Sequence, residues 1–149
     1  MKKFTAILAG LFLLAAAMPA SALASDDRPI EVKELPAAAQ QFIQTHFPGV
    51  KVSYATVDSE LMSKDYKVVF TDGRKVEFSK NGEWKEVSAK HAELPVAIVP
   101  QQIRDYVAKH HAGQAIRKIE RDRHGYEVKL ANGLELDFNK RFEVVKIDD

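Results

Sequence analysis

Apolar and polar residues alternate through two stretches sixty positions apart, residues 66–78 and 126–138, with Tyr, Val, Gly and the final Phe in register. Each stretch is two alternating runs meeting at Asp72-Gly73 or Asn132-Gly133, the pattern of a β-hairpin. A two-residue turn would set Val69 opposite Val76 and mix apolar with charged side chains on both faces. A three-residue turn, Thr71-Asp72-Gly73, pairs Val68 with Val76 and Tyr66 with Phe78. It also places glycine at the third loop position, where a left-handed conformation and a bulge are expected. In the second stretch the same turn sets Leu130 opposite Leu134, Val128 opposite Leu136 and Tyr126 opposite Phe138. One face of each hairpin is then apolar, led by Tyr66, Val68, Phe70, Val76 and Phe78.

Ahead of each hairpin the period lengthens to that of a helix. Leu35-Pro36 opens one, with Ala39, Phe42, Ile43 and Phe47 as its stripe and Pro48-Gly49 as its stop. Val99-Pro100 opens the other, with Ile103, Tyr106 and Val107 before Gly113. A strand follows each helix, residues 50–58 and 114–121, and a last short strand follows each hairpin, residues 83–87 and 142–147. Asn81-Gly82 turns the chain before the first of these, Lys140-Arg141 before the second. The first copy carries four extra residues near 58–65, the tip of a longer hairpin. The fold class expected is α+β: two tandem repeats, each a helix packed on a four-stranded antiparallel β-meander. Their bounds are residues 32–87 and 99–149. Residues 25–31 form a flexible lead-in, and residues 88–98 a polar linker with a short helical turn after Leu94-Pro95.

The chain has 149 residues, 46% of them hydrophobic, which suits a packed domain. Residues 1–24 read as a cleavable export signal: basic Lys2-Lys3, an apolar core, and Ala22-Leu23-Ala24 before the cut. Pro19 interrupts the apolar run, so no stable membrane anchor is expected after cleavage. Loss of Lys2 and Lys3 takes the formal charge from +1 to −1, which gives nucleic acid no basic footprint. With no cysteine, the chain excludes thiol chemistry and disulfides and must hold itself by packing.

The helix opening Leu35-Pro36, the stop His46-Phe47-Pro48-Gly49, the Asp72-Gly73 hairpin, and Phe78 followed by Asn81-Gly82 and Trp84 resemble the PepSY-like family. That family is also described as similar to the β-lactamase inhibitory proteins. The match covers nearly all of residues 32–147. It implies an exported bacterial protein, periplasmic or secreted, and in the inhibitory proteins a concave sheet made from both repeats grips the enzyme. No residue here singles out that target.

Catalysis finds no support, since no serine lies in a G-x-S-x-G setting and no glycine-rich phosphate loop exists. His110 and His111 are adjacent and point about 100° apart on a helix, which suits no shared ion. His46 and His110 end their helices, where the dipole favours an imidazolium. Neither a cofactor nor a metal is expected, and Trp84 is placed in the core. The informative polar surface is the outer hairpin face. There Lys67 opposes Glu77 and Lys129 opposes Glu135, but Glu127 opposes Asp137, two carboxylates that repel. Arg121, Arg123, a cation or a partner's basic side chain would offset them. The reading is therefore a non-enzymatic exported binding module, an inhibitor among its forms, that recognises an exported or periplasmic protein through Lys67, Glu77, Glu127, Lys129, Glu135 and Asp137. The alternative is a periplasmic small-ligand or metal-responsive sensor.

Overall fold

A computed structural model describes residues 27–60 and 63–149. The expected signal, residues 1–24, and the tip at 61–62 lie outside the described residues. Among the described residues the fold is α+β, two α-helices and nine antiparallel strands in one sheet, ordered β1 to β9 as in the sequence.

The first strand is a correction. In the expected flexible lead-in, Arg28–Ile30 forms β1 and pairs with β2, setting Ile30 opposite Ala55. Apolar Ile30, packed against the core, docks a segment that its polar neighbours made look loose. Helix α1, Ala37–His46, starts after Pro36, whose fixed φ of −55° suits that position. Helix α2, Gln101–His110, starts after Pro100 in the same way. Both end in turns where glycine takes a left-handed φ, +73° at Gly49 and +83° at Gly113.

Four strands follow each helix: β2 (Val52–Glu60), β3 (Ser63–Phe70), β4 (Lys75–Phe78) and β5 (Trp84–Ser88), then β6 (Ile116–Arg121), β7 (Gly125–Leu130), β8 (Glu135–Asn139) and β9 (Val144–Asp148). A 3-10 turn at Val96–Ile98 lies in the connection between β5 and α2. The hairpin registers are those of three-residue turns. Tyr66 opposes Phe78 and Val68 opposes Val76, while Tyr126 opposes Phe138 and Val128 opposes Leu136. Gly73 and Gly133 take φ of +89° and +94° at the third loop position. The turn before β9 differs from its counterpart, because Phe142 adopts the left-handed φ of 62° where the first turn has Gly82. Its ring stacks on Tyr126 at 5.6 Å, and the Asn139 side chain accepts the Arg141 and Glu143 amides.

Strands β5 and β6 pair directly, setting Val87 opposite Ile119, so the sheet is continuous. One aliphatic row then crosses all nine strands: Ile30, Ala55, Val68, Val76, Val87, Ile119, Val128, Leu136 and Ile147. Both helices pack on this face, Phe42 edge-on to Phe78 at 5.5 Å and Tyr106 edge-on to Phe138 at 5.5 Å. Phe47 stacks on Phe70 at 4.3 Å beneath the Arg74 guanidinium. Burying such side chains contributes about 2 kcal/mol each. Among the described residues the opposite face carries no helix.

Candidate functional site

Strand pleating sends neighbouring residues to opposite faces, so the positions beside the aliphatic row form a second row on the helix-free face. That row reads Lys67, Glu77, Glu86, Glu120, Glu127, Asp137 and Lys146, each opposite the next. Five carboxylates thus lie side by side across β4 to β8, where directly opposed β-carbons are about 5 Å apart.

The six residues predicted from the sequence all lie on this face, in the registers expected. Glu77, Glu127 and Asp137 belong to the acidic row. Lys67 flanks it but turns to Asp27 at 3.3 Å. Lys129 and Glu135 pair with each other at 3.1 Å, one register step away. Glu86 and Glu120 were missed. They bring the two halves of the row together, through a β5–β6 pairing that no hairpin turn announces.

Neither arginine expected to offset Glu127 and Asp137 does so. Arg121 donates to the Trp84 carbonyl at 2.7 Å and lies over its ring at 4.1 Å, while Arg123 meets His124. Trp84 is accordingly half-buried rather than core. Lysines in the adjoining register do the offsetting. Lys75 reaches Glu77 at 3.5 Å and Glu86 at 3.3 Å, and Lys118 reaches Glu120 at 3.0 Å and Glu127 at 3.8 Å. Two ammoniums bridging four carboxylates leave the row with excess negative charge.

The proton affinities follow from this crowding. Burial pushes the Glu86 carboxyl above its ordinary value; Lys75 opposes that, and the charges of Glu77 and Glu120 add to it. Burial also raises Glu127, which when protonated donates to Glu120. Burial works against the Glu120 carboxylate too, but the Lys118 hydrogen bond and charge outweigh it and hold Glu120 low.

The row lines an open depression of about 450 Å³, together with Lys85, His124, Asn139 and Val145. A smaller, more apolar hollow of about 300 Å³ lies beside α2, among Leu94, Val99, Val107 and Ile116. Further along the helix-free face Asp58 opposes Asp65, and one oxygen each of Thr56 and Asp58 is buried without a hydrogen-bond partner among the described residues. No group of three or more His, Asp or Glu side chains among the described residues is arranged to hold a metal ion. Both helix-end histidines pack on aromatics, His46 on Phe42 at 4.5 Å and His110 on Tyr106 at 4.4 Å. Burial holds the His46 pKa below its usual value.

The PepSY-like family, described as "putative beta-lactamase-inhibitor-like", matches residues 64–146. No curated protein matches the chain. Three solved structures share the fold over 83% of this chain. A "putative periplasmic protein" of the DUF2874 family from Bacteroides vulgatus is 49% identical, 98% covered, with a TM-score of 0.79. A "putative calcium-regulated periplasmic protein" from Bacteroides thetaiotaomicron is 48% identical, 98% covered, with a TM-score of 0.80. A "putative periplasmic protein of unknown function", also from Bacteroides vulgatus, is 38% identical, 99% covered, with a TM-score of 0.78. Among the described residues no helix is long and apolar enough to cross a membrane.

Proposed function

This chain belongs to the PepSY-like family, and on that premise we propose that it is a non-enzymatic binding module, exported to the periplasm, that recognises a protein partner on its helix-free sheet face. The carrying observation is the unbroken row Glu77, Glu86, Glu120, Glu127 and Asp137. Carboxylates set side by side repel, and a partner's Lys or Arg relieves that repulsion on binding. The face is broad, polar and open rather than a deep apolar cavity, which suits a protein surface better than a small molecule. On this reading residues 32–87 and 99–149 are two copies of one helix-and-meander unit, joined edge to edge to make one recognition surface. The partner is an exported protein presenting a basic segment, and an inhibited enzyme falls within that class. Neither the family's description nor those of the related structures name a catalytic activity.

A second reading has its own support. The 48% identical relative described as calcium-regulated suggests that a divalent cation can take the partner's place. Hard oxygen donors are the ligands calcium takes, and on this reading the row's carboxylates, which do not form a metal-holding group of three as they stand, draw together around the ion.

Capture from periplasmic extract by immobilised protein tests the first reading, with a Glu86→Gln/Glu120→Gln/Glu127→Gln variant as the comparison. The expected result is a partner retained at low salt by the unaltered protein and lost with the variant or at high salt. Equal capture by both would overturn it. Calorimetric titration with calcium separates the second reading, which requires heat that the triple variant abolishes.

A further inference from the structure

The aliphatic row ends at an open edge. Ile147 in β9 opposes Leu136, as Val87 in β5 opposes Val76, and each strand has its irregularity at the same place, after Asp137 or Glu77. Val87 is fully buried because β6 pairs along the other side of β5 with Ile119 opposite. Ile147 is 51% exposed, since among the described residues no strand takes the other side of β9. The two outer edges of the sheet are not alike. Strand β1 is three residues long and contains Pro29, which lacks an amide proton, a usual way of blocking an edge. Strand β9 has five residues, Val144-Val145-Lys146-Ile147-Asp148, none of them proline, so its outward-facing amides can donate.

We propose that β9 pairs antiparallel with β9 of a second copy, about a two-fold axis through Ile147. Directly opposed residues share a face, so an axis between residues would set Ile147 against a charged neighbour. An axis through Lys146 would oppose two lysines. With the axis at Ile147, the two isoleucines meet on the helix side and continue the aliphatic row from one copy into the other. On the helix-free side Lys146 of each copy faces Asp148 of the other. These two side chains already pair within one chain at 2.6 Å, so they lie on the same face. The self-complementary order Lys-Ile-Asp thus fixes one register and one symmetric partner, an isologous contact that closes at two copies. Within β9 the contact is Lys146, Ile147 and Asp148 on each side, which is small, so association depends on concentration.

Sedimentation velocity over a concentration series, on the purified exported protein, tests this with variants outside the acidic row. The unaltered protein should rise toward twice the monomer mass. Lys146→Asp sets acid against acid across the axis, and Asp148→Lys sets base against base, so each alone should stay monomeric. Mixed together, the two variants are complementary at both positions and should form a mixed dimer. Ile147→Glu should stay monomeric alone and in either mixture. Circular dichroism checks that each variant is folded, and if Lys146→Asp is not, Asp148→Lys and Ile147→Glu still decide the comparison. A monomeric unaltered protein at its highest soluble concentration would overturn the proposal. Folded variants that dimerise alone as the unaltered protein does, or a mixture of Lys146→Asp with Asp148→Lys that fails to associate, would do the same.

Discussion

Glu86 and Glu120 lie directly opposite each other where β5 meets β6, with Glu77 beyond the one and Glu127 beyond the other. Packing of Val87 against Ile119 on the far face fixes that register, so the carboxylates are held together by the core beneath them. A sheet does not place like charges side by side for stability, and the consequences are measurable.

The first concerns pH. The raised Glu86 and Glu127 pKa values mean that the folded chain holds more protons than the unfolded chain just above the ordinary glutamate value of 4.5. Stability contributed by these groups is therefore lost as pH rises through that window. The lowered Glu120 acts oppositely, below 4.5. Urea melts from pH 4.5 upward should show a decline that Glu86→Gln/Glu127→Gln flattens. Equal slopes in the two proteins would refute the assignment.

Relief of repulsion should also appear at fixed pH. The Glu127→Gln/Asp137→Asn variant should be neutral or more stable by up to about 1 kcal/mol in low salt, because Lys118 stays 3.8 Å from Glu127 and Lys146, opposite Asp137, pairs with Asp148. A loss above that size would show that the lysine contact outweighs the like-charge pairing.

Gly125 and Gly133 make a contrast in steric demand. A β-carbon on Gly125 would lie 2.0 Å from the Phe138 carbonyl oxygen, with φ at +150°, whereas one on Gly133 would meet nothing within 4 Å. Gly125→Ala should cost more than about 3 kcal/mol, since backbone must move. Gly133→Ala should cost about 1 kcal/mol, from its left-handed φ alone. Chemical denaturation of both variants checks the order, and equal losses would contradict the β7–β8 geometry.

Arg121 ties β6 back to β5 through the Trp84 carbonyl and ring. Replacing it with alanine should remove about 1–3 kcal/mol. Trp84 is the only tryptophan, so its emission should shift toward that of a more hydrated ring. Unaltered emission would show that the guanidinium does not shield it.

The α1 end offers a core test. Phe47 is 2% exposed and stacked on Phe70, so Phe47→Ala should cost about 3–5 kcal/mol. Its counterpart in α2 is His111, and His111→Ala should cost far less. Thermal melts of the two variants provide the comparison.

The sequence by itself determined what short-range geometry controls. Turn length and alternation were enough to set Tyr66 opposite Phe78 and Glu127 opposite Asp137, because a three-residue loop leaves a hairpin one register. The helix stripes, their proline starts and their glycine stops were legible for the same reason. Tertiary structure alone decided the pairings that no turn enforces. Strand β1 found β2 through Ile30, although its neighbours are polar. Strands β5 and β6 are separated by residues 89–115, a connection long enough to allow several registers. Burial of Val87 and Ile119 in one row selected among them. That choice aligned Glu86 with Glu120 and turned one visible carboxylate pair into a row of five, because a residue's outward neighbours follow from which face the core demands.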